Sequence, residues 1–157
     1  MNSGQTIEIA FRAHRTDNND LSDEMLRLKT LAVDAARKAY APYSRLRVGA
    51  VAVLADGTTV TANNQENAAY PSGMCAERVA LYAAGANYPD TAVRMLAVVA
   101  LDGEAVHDLI APCGACRQVL LETEQRQGVA VRVVMFGIDE TVSVDSAAAL
   151  LPLAFRL

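Results

Sequence analysis

All three cysteines of the 157-residue chain fall in two short segments. Glu77 follows Cys75 after one residue, and Cys113 and Cys116 stand behind Pro112 with two residues between them. A two-residue gap is a common spacing for zinc ligands, and on a helix it places both thiols on one side. Three thiolates without a fourth protein ligand are typical of a catalytic zinc site, whose last position holds water.

The carboxyl group of Glu77 is placed to move protons in such a site. Near the start of a helix, a glutamate side chain can turn back over the first turn, towards Cys75. It would then lie beside a water that zinc has made acidic, and could carry its proton. Three thiolates outweigh the two positive charges of zinc, so we expect Arg78 or Arg117 to donate hydrogen bonds to thiolate sulfur.

Two other hypotheses exist for the pair of cysteines at positions 113 and 116. A redox dithiol would need neither Cys75 nor Glu77, and a structural zinc site would lack its fourth ligand. The two histidines, His14 and His107, stand at no ligand spacing from a cysteine. The residues therefore favour a catalytic zinc site over both alternatives.

Both cysteine segments open predicted helices in a chain where strands and helices alternate. Apolar runs, one Asp-Gly turn and a short apolar-polar alternation predict strands at residues 47–54, 58–62, 93–101, 129–136 and 141–144. Helical periodicity, caps and prolines predict helices at about residues 22–40, 75–86, 114–127 and 146–151. This order indicates an α/β protein, and we expect a three-layer α/β/α sandwich around a mixed sheet of about five strands.

The first 20 residues stand apart from this pattern as an N-terminal extension. Ile7, Ile9 and Phe11 alternate with other residues, which predicts a short edge strand followed by a polar loop. No linker or repeat divides the remainder, so residues 21–157 are expected to form a single domain.

Composition excludes several classes of partner. The net charge is −4, lysines and arginines are scattered, and aromatic residues make up 5% of the chain, so a nucleic-acid partner is not expected. The longest apolar runs, such as residues 95–101, are far shorter than the roughly 20 residues that span a bilayer, so no membrane partner is expected. The first residues show no secretory pattern, and an odd number of cysteines fits free thiols, so we expect a cytoplasmic protein.

The cysteine and glutamate pattern resembles that of the zinc-dependent deaminases of nucleosides and bases. With three cysteines, it is similar to the small cytidine deaminases that act on free nucleosides. Three further segments resemble that family, namely residues 41–50 (APYSRLRVGA), 64–70 (NQENAAY) and 151–155 (LPLAF). The resemblance covers roughly residues 25–157, and its separate motifs occur in the same order as in the family.

The resemblance implies a metal site and a proton carrier. Cys75, Cys113 and Cys116 would hold one zinc ion per chain. Glu77 would take the proton from the activated water, protonate N3 of the pyrimidine and help ammonia leave.

The resemblance also implies how substrate binds. Asn64 and Glu66 would hold the ribose hydroxyls, as their hydrogen-bonding groups allow. Backbone groups near Ala76 would read the base edge. Phe155 would pack over the site of a neighbouring subunit, with Tyr70 near that junction, because small members of the family are usually homotetramers.

We therefore expect a cytidine and deoxycytidine deaminase of pyrimidine salvage, which releases uridine or deoxyuridine and ammonia. A deaminase of the same mechanism acting on a modified nucleoside or an aminopyrimidine antibiotic is the nearest alternative. An inactive zinc-binding structural or regulatory module and a polynucleotide-editing deaminase are the others.

Overall fold

The computed structural model describes residues 4–156, so residues 1–3 of the predicted extension and residue 157 lie outside the described part. Its strands are β1 (His14–Asp17), β2 (Leu46–Leu54), β3 (Thr59–Asn63), β4 (Val93–Asp102), β5 (Ala105–Val106), β6 (Arg132–Phe136) and β7 (Glu140–Val144). Its α-helices are α1 (Asp23–Ala36), α2 (Ala76–Asn87) and α3 (Gly114–Gln127). Short 3₁₀ turns cover Asn18–Asp20, Tyr70–Ser72 and Ala147–Leu150.

The seven strands form one mixed sheet in the order β1-β7-β6-β4-β2-β3, with β5 paired to β4. β4 and β6 are parallel and are joined by α3, whereas the other neighbouring strands are antiparallel. Helix α3 begins soon after the carboxyl end of β4, the end of a parallel strand where α/β proteins place their sites.

The sheet is buried on both faces, as the apolar runs predict. Along β4, Leu96 and Val98 face the core shared with α2, while Ala97 and Val99 face the core beneath α1. Helix α3 contributes Leu120 to the α2 side. The predicted three-layer α/β/α sandwich is thus confirmed.

Helix α1 lies unusually close to β2. A Cβ atom added at Gly49 would fall 1.9 Å from the main-chain oxygen of Ala32, so only glycine fits between strand and helix. This contact holds β2, whose first residues adjoin the predicted substrate loop, against the α1 layer.

Two features of the sheet differ from the sequence prediction. It has seven strands rather than about five, because β1 pairs with β7 and the two-residue β5 pairs with β4. The strand predicted from Ile7, Ile9 and Phe11 is wrong, since these residues lie outside strands and the strand forms at His14–Asp17. The hydrogen-bonding partner at the sheet edge decides the position, and it lies opposite His14–Asp17.

The predicted end of the first helix near Tyr40 is also wrong. Helix α1 ends at Ala36, and the main chain of Tyr40 bonds instead to the main chain of Asn64 and Glu66. The last predicted helix is the 3₁₀ turn Ala147–Leu150. Within residues 4–156, no helix combines the length and hydropathy that a bilayer crossing requires.

Candidate active site

Two helix starts bring the three cysteines together. Cys75 is the residue before α2 and Cys113 the residue before α3. Both are extended, and neither side chain caps the backbone amides of its helix. Cys116 lies one turn further along α3 and is buried. The Sγ atom of Cys113 is 3.9 Å from that of Cys75 and 3.4 Å from that of Cys116.

These separations fit a tetrahedral zinc ion. Ligand sulfurs about 2.3 Å from zinc at tetrahedral angles lie about 3.8 Å from one another. The three sulfur atoms all lie within 4.8 Å of one another. All three cysteines are free of disulfide bonds, so the thiols are available for a metal ion.

Charge in the cluster favours ligation by Cys75. Its pKa is lowered to about 5, mainly because the Cys116 thiol donates to its sulfur, and also because Arg78 does. The Nη2 atom of Arg78 lies 3.6 Å from that sulfur. The hydrogen bond with Cys75 and burial raise the pKa of Cys116. Of the two arginines expected to contact sulfur, Arg78 does so.

Arg117, the other arginine considered, does not bond to sulfur in the described structure. Its Nε donates to the main-chain oxygen of Pro112 at 2.7 Å, and its Nη1 donates to that of Leu150 at 3.0 Å. The side chain reaches the C-terminal segment because the end of the Ala147–Leu150 turn packs against α3, a long-range contact that local spacing does not reveal.

Glu77 lies beside the cluster in the first turn of α2, and its side chain is only 5% exposed. Burial raises the pKa of its carboxyl group, and its own backbone amide partly opposes that rise. A buried carboxyl group with a raised pKa next to a metal site suits acid-base chemistry. Ala76, the first residue of α2, is fully buried beside it.

The predicted ribose-binding residues lie where β3 runs into the next loop. Asn64 bridges two residues of β2, because its Oδ1 accepts from the amide of Val48 at 2.7 Å and its Nδ2 donates to the oxygen of Leu46 at 2.9 Å. A side-chain amide keeps a second proton and a second lone pair for another partner. The loop is thereby held against the start of β2.

The Glu66 carboxylate is held by the loop that precedes β2. It accepts hydrogen bonds from the Ser44 hydroxyl and from the amides of Tyr43 and Ser44. These bonds lower the pKa of Glu66, and the bond from the Ser44 hydroxyl contributes most. The group is therefore ionised at neutral pH. An ionised carboxylate can accept a hydrogen bond from a sugar hydroxyl.

Next to Glu66 is an open cleft of about 430 Å³. Tyr43 and Tyr70 line it with their rings edge to face, at 6.3 Å between centroids. Ser44 and Asn67 also line it. Phe155 is elsewhere, 68% exposed on the outer side of α3, where its main-chain oxygen accepts from Gln118.

A family model described as the cytidine and deoxycytidylate deaminase zinc-binding region matches residues 22–132. The chain belongs to this family. A cytidine deaminase of Mycobacterium tuberculosis is 44% identical to it over 98 residues, which are 60% of this chain and 68% of the relative. One from Halalkalibacterium halodurans is 44% identical over 91 residues, 58% of this chain and 65% of the relative.

Solved deaminase structures have the same fold. The crystal structure of cytidine deaminase from Burkholderia pseudomallei has a TM-score of 0.68 and 41% identity, covering 86% of this chain and all of that one. The cytidine deaminase from M. tuberculosis has a TM-score of 0.64 and 34% identity, over 87% of this chain and 100% of that one. The resemblance inferred from the motifs, the zinc-binding class and the enzyme class are confirmed.

Two hydrogen-bonding partners of Glu66 in this deaminase were not predicted from the sequence. Tyr43 and Ser44 stand in a segment that resembles the family, yet nothing in their spacing indicates that they bind Glu66. They lie 23 and 22 residues before it, and their contact depends on the turn that follows α1. The sequence signal that could have indicated this contact is the polar Tyr-Ser pair just before a predicted buried strand.

Proposed function

We propose that this chain hydrolyses the 4-amino group of cytidine and deoxycytidine, producing uridine or deoxyuridine and ammonia. The observation that carries the proposal is the cluster of three sulfurs at two helix starts with the buried Glu77 beside it. The motif pattern of zinc nucleobase deaminases has the same ligand and glutamate types.

Cys75, Cys113 and Cys116 would hold the zinc ion. When bound, zinc supplies the Lewis acidity that makes a water molecule nucleophilic near neutral pH. Glu77 accepts the proton of that water as it attacks C4 of the pyrimidine and delivers a proton to N3. Glu77 then takes the proton of the new hydroxyl group on C4 and gives it to the amino group. The C4 carbonyl forms, ammonia leaves and the carboxylate is restored. The raised pKa of Glu77 supports a group that both takes and gives protons.

Binding of a free nucleoside is supported by the cleft beside Glu66. Glu66 accepts hydrogen bonds from ribose hydroxyls and Asn64 donates or accepts them, while backbone groups near Ala76 read the base edge. No described residue lining the cleft is basic, and the ionised Glu66 repels phosphate. These charges favour cytidine over deoxycytidylate and over a polynucleotide.

The biological setting we infer is pyrimidine salvage in the cytoplasm by a homotetramer. Tyr70 is 78% exposed and Phe155 is also exposed, although both are large apolar groups. Aromatic groups of this kind are enriched in interface cores. In the tetramer, Phe155 of one subunit would cover the site of its neighbour, near Tyr70.

The test combines zinc content per chain with ammonia release on one sample purified with its thiols protected. The substrates are cytidine, deoxycytidine, cytosine, deoxycytidylate and a single-stranded oligonucleotide. We expect about one zinc per chain, and faster turnover of cytidine and deoxycytidine than of the other three substrates. Zinc without turnover of any nucleoside, or cytosine turned over as fast as cytidine, would contradict the proposal.

A further inference from the structure

The guanidinium group of Arg117 joins two segments that are far apart in sequence. Pro112, whose oxygen accepts from Nε, is buried and immediately precedes Cys113. Leu150, whose oxygen accepts from Nη1, ends the 3₁₀ turn Ala147–Leu150. Arg117 therefore links the loop that carries one sulfur to the start of the C-terminal segment.

The next residue of α3 holds the other end of that segment. The Nε2 atom of Gln118 donates to the main-chain oxygen of Phe155 at 3.2 Å. Between these two contacts, residues 151–155 lie outside helix and strand. The first turns of α3 thus carry Cys116 and also the two side chains that hold the C-terminal segment.

We propose that Arg117 is a positioning residue that fixes the Cys113 loop and the C-terminal segment in one relative geometry. This inference rests on the proposed function, because it takes the cysteines as zinc ligands. A guanidinium presents several donors in a rigid plane and can hold two carbonyl groups at once, which an ammonium or an amide at the same position does less well. Hydrogen bonds that orient ligands in this way govern how firmly a metal is held.

The Pro112 carbonyl is the group through which Arg117 acts on the metal site. It is the last carbonyl before Cys113, so its direction sets the backbone from which the Cys113 side chain leaves. A buried carbonyl without a donor is costly, so the loop would rearrange if Arg117 were lost. The sulfur that lies within 4 Å of both other sulfurs would then move.

The experiment compares Arg117→Gln and Arg117→Lys with the wild type in the full zinc-loaded protein. The first readout is the rate at which zinc passes to a coloured chelator, which we expect to rise on the order of 10-fold to 100-fold in Arg117→Gln. Arg117→Lys retains a donor for one carbonyl and is expected to lie between that variant and the wild type. The second readout is the visible absorption of the cobalt-substituted proteins, which reports ligand geometry and is expected to change in Arg117→Gln.

Two further variants separate positioning from general stability. Gln118→Ala removes the contact with Phe155 but leaves Arg117, so its zinc release is expected to match the wild type while its KM for cytidine rises. Arg132→Gln removes another half-buried arginine, which donates to Ser143 between β6 and β7. Its zinc release and cobalt spectrum are also expected to match the wild type.

Wild-type zinc release and an unchanged cobalt spectrum in Arg117→Gln would overturn the inference. Equal acceleration in Arg132→Gln would overturn it too, because general destabilisation would then explain the effect. If Arg117→Gln does not fold, the same comparisons with Arg117→Lys decide. Failure of the proposed function is seen separately, as a wild-type protein that holds no zinc or releases no ammonia from cytidine.

Discussion

Glu77 is the one buried carboxylic acid among residues 4–156. Glu77→Gln keeps the size of the side chain and removes its ability to accept a proton. We expect kcat for cytidine to fall by about 10²-fold to 10⁴-fold or more, the usual contribution of a positioned acid-base group. Zinc content is expected to stay near the wild-type value, because the amide replaces no ligand.

The matched control for this change is Glu24→Gln, the same substitution at an exposed position on α1. It is expected to leave kcat unchanged. Ammonia release and metal analysis on the two variants check the prediction. Wild-type turnover by Glu77→Gln with zinc in place would show that another group carries the proton.

We expect Arg78 to affect the pH dependence of the site. Burial raises the pKa of Glu77, and the positive charge of Arg78 acts in the opposite direction. Arg78→Ala removes that charge, so the pKa of Glu77 moves further up. The acid limb of the kcat/KM profile is therefore expected to shift to higher pH, with some zinc retained.

An exposed arginine, Arg94, provides the comparison for Arg78. Arg94→Ala removes a positive charge from β4, outside the cysteine cluster, and is expected to keep the wild-type profile. Profiles of kcat/KM between acid and neutral pH decide the matter. An acid limb in Arg78→Ala that coincides with the wild type would rule out this role.

The N-terminal extension contains two parts with different contacts. Asn18 donates to the main-chain oxygens of Gly137 and Ile138, while His14 and Arg15 pair with acidic residues near β7. Residues 4–13 instead lie outside helix and strand, with their large apolar side chains exposed. We therefore expect residues 4–13 to be dispensable for the sheet.

Two truncations test this division. Removal of residues 1–13 leaves β1 intact and is expected to change the melting temperature by no more than about 2 °C. Removal of residues 1–20 deletes β1 and Asn18, exposes the edge of β7 and is expected to lower it by roughly 5 °C. Thermal unfolding of both proteins, zinc-loaded, measures the difference, and equal melting temperatures would contradict it.

Elements defined by local pattern were predicted closely. Helix α3 begins after Cys113 and ends before Gly128, as predicted. A proline just before its start and a left-handed glycine just after its end are local signals for these boundaries. The end of α1 was predicted too late, because Tyr40 pairs with the loop after β3. Such pairing depends on another part of the chain, and the local periodicity does not report it.

At the scale of the whole molecule, zinc would join two helices that lie on the same face of the sheet. Its proposed ligands lie at the start of α2 and at the start of α3. A ligand that binds only the folded state stabilises it by about 4 kcal/mol at a thousandfold excess over its Kd. Removal of zinc by a chelator is expected to abolish turnover and lower the melting temperature on the order of 10 °C.

Restoration by metal is the control for this prediction. Zinc added back under reducing conditions is expected to recover both activity and melting temperature. Magnesium and calcium, which prefer oxygen ligands, are expected to recover neither. An unchanged melting temperature after complete zinc removal would show that the helix starts are held together without the metal.

The amino-acid sequence alone was enough to predict the candidate zinc ligands, the neighbouring glutamate, the family and most helices and strands. These depend on spacing within a few residues, which a single pass along the chain can show. The tertiary structure decided that Cys75 lies within 4 Å of a cysteine 38 residues away, and that Ser44 holds Glu66. It also decided that Arg117 holds main-chain carbonyls rather than sulfur, because strand order and helix packing select contacts between distant segments.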